Sequence, residues 1–232
     1  MPDLEALIAD PDAAWLLTER LTTLRADDPQ RLPIRAALAR ICTAGGDRIA
    51  AREHLEAAYA MALKLKDAQA SPLRRQLALH LLSIGLPALS LPLLREALLD
   101  AIDTDDTLMI VSLGISLSAM RLEAADWAEA QKLGALVVSA ASRRGNWLGV
   151  TDGLITQSTC LLRLGGPLIE AIVLLLHGGQ RLNKMGSPAA VNLIKARLGE
   201  LRTEHSPAVF DAALEAALAR LQAPQPTGAQ AT

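Results

Sequence analysis

The sequence predicts an all-α protein of about eleven helices, and three observations carry that reading. Aromatic residues make up only 2% of the 232 residues, while Ala and Leu dominate; sheets draw instead on aromatic and β-branched side chains. Gly and Pro recur at a steady beat that leaves stretches of helical length between them. No stretch alternates apolar and polar residues as a half-buried strand would. A hydrophobic fraction of 51% gives ample surface to bury and excludes general disorder.

The elements follow from the breakers in order. A first helix over about 12–26 follows Pro11, and a second over 31–44 runs from the Pro29/Pro33 region to Gly45-Gly46. A third covers 47–66, a fourth opens at Ser71-Pro72 and covers 72–84, and a fifth covers 87–102 after Gly85. The sixth, 106–122, starts at the acidic turn Asp103, Asp105 and Asp106, and the seventh, 125–144, stops at Gly145. The eighth, 147–164, stops at Gly165-Gly166-Pro167 and the ninth, 167–185, at Gly186. The tenth, 188–203, and the eleventh, 207–222, open at Ser187-Pro188 and Ser206-Pro207. Ser is expected to cap free N–H groups at these starts, and Pro at the first helical position has no N–H to leave unpaired. Residues 223–232, with Pro224, Pro226 and Gly228, read as a flexible tail. That leaves 1–222 as a single domain without an internal linker.

A repeat runs through these helices. Ala51, Ser90, Ala130, Ala171 and Ala212 are spaced 39, 40, 41 and 41 residues apart. Seven residues after each stand Ala58, Ala97, Val137, Gly178 and Ala219; twelve before stand Ala39, Ala78, Ser118 and Thr159, with Glu200 breaking the rule in the fifth. Small residues at such positions let two antiparallel helices approach within about 8–10 Å.

This pattern of three small positions resembles the tetratricopeptide repeat over roughly residues 31–222, as five hairpins preceded by one helix. The repeat here is longer than that family's, its closing Pro is not regular, and the consensus aromatics are mostly aliphatic, so the resemblance is to a divergent member. It implies a right-handed superhelical solenoid of antiparallel helix hairpins whose first helices line a concave face that binds peptides. In that register the candidate partner-binding groove comprises Arg40, Arg75, Leu79, Leu82, Ile115, Leu122, Thr156, Arg163 and Arg197. An irregular helical bundle is the competing architecture.

Charge and motifs narrow the chemistry. Lys plus Arg number 23 against 25 Asp plus Glu, and no basic run exceeds two residues, so nucleic acid is not an expected partner. The acidic N-terminus lacks a basic region followed by an apolar run, and a cytoplasmic location is expected. The uncharged stretch Gln76–Leu94 has membrane length, but His80, Gly85, Pro87 and Pro92 interrupt it, so no membrane insertion is expected. Cys42 and Cys160 are far apart and read as small core residues. Nucleotide-binding, metalloprotease and serine-hydrolase signatures do not occur. The four histidines are scattered: His177, in the run from Ile172, reads as a packing residue and His54 as part of a solvated face. Asp103, Asp105 and Asp106 resemble a metal cluster but read better as a helix start. No cofactor, metal or catalysis is expected.

The expected function is therefore a non-enzymatic adaptor or scaffold binding a partner protein or peptide, with an acidic amphipathic segment as the favoured partner. The alternatives are a self-assembling structural subunit, in which homo-oligomers bury the apolar helices, and a peptide- or ligand-sensing regulatory domain.

Overall fold

The computed structural model describes residues 12–223. The expected tail from Pro224 and the acidic stretch through Pro11 lie outside the described residues. Among the described residues eleven α-helices follow one another: α1 (Ala13–Thr23), α2 (Arg31–Ala44), α3 (Arg48–Leu65), α4 (Ala70–Ser83), α5 (Pro87–Asp103), α6 (Thr107–Glu123), α7 (Trp127–Arg144), α8 (Trp147–Arg163), α9 (Leu168–Lys184), α10 (Pro188–Glu204) and α11 (Pro207–Gln222). The described residues contain no strand, and no described helix is long and apolar enough to cross a membrane. The protein is all-α.

The helix ends have local causes. Asp47, Asp106, Asp126 and Asn146 each accept a hydrogen bond from the backbone N–H three residues on, satisfying a donor the helix itself leaves free. The acidic turn before α6 thus acts as a cap through Asp106. The expected serine caps do not form: Pro188 and Pro207 open their helices, but Ser187 and Ser206 make no capping bond. Ser71 lies inside α4 and donates to Asp100 instead. Helix α1 stops at Thr23, short of the expected 26, and Arg31 covers its end by donating to the carbonyls of Leu21 and Leu24.

Every turn from α2 to α10 holds one left-handed residue: Gly46, Lys66, Gly85, Asp105, Ala125, Gly145, Gly165 and Gly186. These positions fall about every 20 residues. Five are glycine, the residue that adopts this conformation without a Cβ penalty; at Lys66, Asp105 and Ala125 the chain accepts a strain of about 1–2 kcal/mol.

The chain divides into two compact units, Met1–Asp100 and Ala101–Thr232, with the boundary inside α5. In the first, α1 packs on α2, α2 on α3 and α3 on α4. Leu32, Leu55, Leu73, Leu77 and Leu81 interleave with Ala39, Ala58 and Ala62 to form its core. The buried hydroxyl of Ser90 ties α5 to α4 by donating to the Ala78 carbonyl at 2.7 Å. In the second unit each helix packs on its successor from α6 to α11; α8 also touches α6 and α10, and α9 touches α11. Short turns make these neighbours antiparallel.

The buried register holds where it is counted from each helix's own start, although in the fifth hairpin a large residue, Phe210, stands in the small position. The fourth residue of each second helix, namely Ala51, Ser90, Ala130, Ala171 and Phe210, is buried. So is the eleventh: Ala58, Ala97, Val137, Gly178 and Ala217. The expected fifth pair, Ala212 and Ala219, is exposed. The reason is turn length: only two residues separate α10 from α11, so a fixed period of 41 overshoots the anchor by two. In the fourth hairpin a four-residue turn does the opposite. The small position on α8 is Ser158, fully buried and thirteen residues before Ala171, rather than the half-buried Thr159.

One close backbone approach was not legible from this register. Gly134 on α7 faces Gly153 on α8, and a Cβ on Gly153 would lie 2.7 Å from the Gly134 carbonyl oxygen. Gly178 on α9 has no room for a Cβ against Leu154. Backbone here packs directly against its neighbour.

Candidate functional site

In the first unit, α2 and α4 border a groove of about 620 Å³. Helix α2 contributes Arg40 and Thr43, and α4 contributes Gln76, Leu79 and Ser83, above a floor that includes Ala39 and Leu55. Both helices present these residues by helical spacing while Leu38, Leu77 and Leu81 anchor their opposite faces in the core. His80 is fixed at the groove's edge, its Nε2 2.9 Å from the carbonyl oxygen of Arg48 at the start of α3.

Two of the expected site residues, Arg40 and Leu79, therefore share this groove. Arg75 and Leu82 lie on α4 half-buried, outside its lining. The cations of this region differ in availability. Arg40 is exposed, and no described carboxylate pairs with it or with Arg75. Arg74 is consumed: it donates to Tyr59 Oη and Asp100 and lies 3.2 Å from Glu96. Burial opposes its charge, but these partners outweigh burial and raise its pKa.

The expected residues of the second unit do not form a cationic lining. Ile115 and Leu122 are half-buried on α6. Thr156 is buried, as is Cys160, because the longer turn after α8 shifts its outward face by one residue to Ile155 and Thr159. Arg163 is exposed but sits 5.6 Å from the ring centroid of Trp127, a cation–π contact that occupies one face of the guanidinium. Arg197 is buried among Ala190, Ile194 and Leu201. Its Nη1 donates to Glu200 and Glu204 at 2.8 and 2.7 Å, while its Nε has no partner among the described residues. Burial disfavours this charge and the two carboxylates restore it, so Arg197 is neutralised from within.

The residue the sequence reading passed over is Asp152. It carries the only charge in α8 before Arg163. It is exposed on the same side of the helix as Leu148 and Ile155, with no cation paired to it among the described residues. Surrounding protein strips water from the carboxylate and raises its pKa. A lone charge interrupting an apolar helix face was the available signal.

Other titratable groups are dispersed. His54 faces Arg35, whose Nη1 lies 3.3 Å from its Nδ1; burial first, and this charge second, lower its pKa. His177 is exposed rather than packed in the core. Among the described residues no group of three His, Cys, Asp or Glu side chains has a metal-binding arrangement. No protein-family model matches the chain, and comparison with curated proteins finds no similar relative.

Proposed function

We propose that the protein is a non-enzymatic adaptor: a divergent, tetratricopeptide-like solenoid that binds a partner peptide through the faces of its first helices. The observation that carries this reading is the α2–α4 groove, where an unpaired Arg40 stands over an apolar floor beside Leu79. Stacking in the second unit supports the repeat architecture, since α8 touches both α6 and α10 while each packs on its own hairpin mate.

The partner for the first unit is an amphipathic segment with Leu-type anchors and acidic flanks. Leu79 offers the exposed apolar surface for its anchors, at about 25 cal/mol per Å² buried. Arg40 and Arg75 fix its orientation and speed encounter. The test is Arg40→Glu with Arg75→Glu, measured against the partner found by affinity capture. Affinity should fall at least about tenfold, and the on-rate should lose most of its salt dependence. Unchanged affinity with an intact fold removes the groove from the interface.

Self-assembly is the second reading, favoured by exposed apolar residues such as Leu108 and Leu148 at corresponding places on α6 and α8. Light scattering separates the two: a concentration-independent multimer points to the subunit, a monomer to the adaptor.

A further inference from the structure

We propose that the trench between α7, α8 and α9 is a binding site for a small organic monoanion, a carboxylate carrying an apolar body of about eight to ten carbons. The trench has a volume of about 270 Å³. Helix α8 forms the floor with Trp147, Val150 and Leu154, and α7 and α9 form the walls with Val138, Leu174 and Leu182. No residue of α6 or α10 lines it; α8 is the one first helix of this unit that contributes, and the rest of the lining comes from the second helices α7 and α9 and the residue just after α9.

Its dimensions and chemistry select the ligand. An enclosed apolar cavity of about 150 Å³ holds a benzene ring, so this volume takes a medium-chain or aryl body. The polar groups are Ser142, Gln157, His177 and Arg181. His177 and Arg181 lie one helical turn apart on the exposed stripe of α9 and make one end of the trench polar. Arg181 is the one formal charge in the lining, and no described carboxylate neutralises it. A guanidinium accepts a carboxylate in a two-pronged hydrogen bond, while Gln157 and His177 supply further hydrogen-bonding groups. One cation balances one negative charge. A dianionic phosphate would bring a second charge beside the last turn of α9, where the free carbonyls form the negative end of the helix dipole. Monoanions are therefore preferred.

The walls are preformed. Gly178 brings α9 against Leu154, and Leu154 and Leu182 are both buried. Little ordering cost is left for the ligand to meet.

Octanoate and octan-1-ol are the probes, titrated against the full chain carrying Trp15→Phe and Trp127→Phe, so that Trp147 in the trench is the sole tryptophan and is excited selectively over Tyr59. Octanoate should change Trp147 emission saturably. Arg181→Gln alters an exposed side chain; it should weaken octanoate about tenfold or more and leave octan-1-ol unchanged. Ser142→Leu, which fills the trench, should weaken both probes, with circular dichroism showing that the helices persist. Absence of a saturable response to octanoate overturns the proposal. So does equal octanoate affinity in the wild type and Arg181→Gln, or binding of both probes undiminished by Ser142→Leu.

Discussion

The α3–α4 pair and the α7–α8 pair occupy the same place in the chain's order, a second helix meeting the first helix of the next hairpin, yet they are packed by different means. On α3 the core residues are Leu55, Ala58 and Ala62, which cluster with Leu73, Leu77 and Leu81 of α4. Methyl groups act there as spacers. On α7 and α8, Gly134 and Gly153 remove even those methyls, and backbone approaches backbone. The turns differ too: α3 closes with the left-handed Lys66 and α7 with the left-handed Gly145. An alanine interface is lined by side chains that can shift; at the glycine interface part of the lining is the carbonyl of Gly134 and the amide of Val138, which cannot.

The largest expected effect tests that difference directly. Gly153→Val places side-chain atoms against the Gly134 carbonyl and the Val138 backbone, and should cost about 3 kcal/mol or more in urea unfolding. Ala62→Val on α3 should cost about 1–2 kcal/mol, because the surrounding leucines can adjust. Equal losses would erase the distinction between the pairs.

Next in size is the anchor register. Ala171→Leu should lower stability by about 1–3 kcal/mol, since its methyl is wholly enclosed. Ala212→Leu, on the exposed side of α11, should stay within about 0.5 kcal/mol. Reversal of that order in thermal melting would restore the fixed 41-residue period.

The turns give a smaller effect of opposite sign. Lys66→Gly relieves a left-handed Cβ and should stabilise by up to about 1 kcal/mol, whereas Gly145→Lys should cost a similar amount. If both changes destabilise, the left-handed geometry is not what limits these turns.

The smallest effects are pH-dependent and run in opposite directions in the two pairs. His54 on α3 has a lowered pKa in the folded chain, through burial and then Arg35. The unfolded chain therefore takes up the proton first, and this contribution to stability is lost as pH falls below about 6.5 toward the lower folded value. Asp152 on α8, although exposed, has a raised pKa because neighbouring protein displaces part of the water around its carboxylate. The folded chain protonates first, so its contribution is fully present below about 3.9 and is lost as pH rises through the higher folded value. His54→Gln should flatten the acidic loss and Asp152→Asn should stabilise at neutral pH. A His54 resonance titrating above 6.5 by NMR would refute the first assignment.

Helix boundaries were legible because Gly, Pro, Asp and Asn at the turns act through local geometry, and a local cause leaves a local mark. Four of the five anchors were legible from their spacing of 39 to 41 residues, because the hairpins up to Ala171 keep nearly constant length. Gly134 and Gly153 were not, because a glycine inside a helix gives no sign of what faces it until the partner helix is known. Their neighbours also read as ordinary helix. The cationic groove failed in the second unit on information that was in the sequence: Glu200 and Glu204 stand three and seven residues from Arg197, on one helical face. The Trp127–Arg163 contact spans 36 positions and needed the fold.

Since each second helix is phased from its own first residue, the turns are free to differ in length, and they already span two to four residues between hairpin mates. A residue added to such a turn rotates nothing that is packed. The same residue added inside α7 would turn every later side chain of that helix by about 100° and carry Gly134, Val137 or Ala141 off its face. An inserted epitope or reporter loop should accordingly be accepted after Gly46 or Gly165, at turn positions where an added Cβ would meet open space, and rejected within the helices on either side.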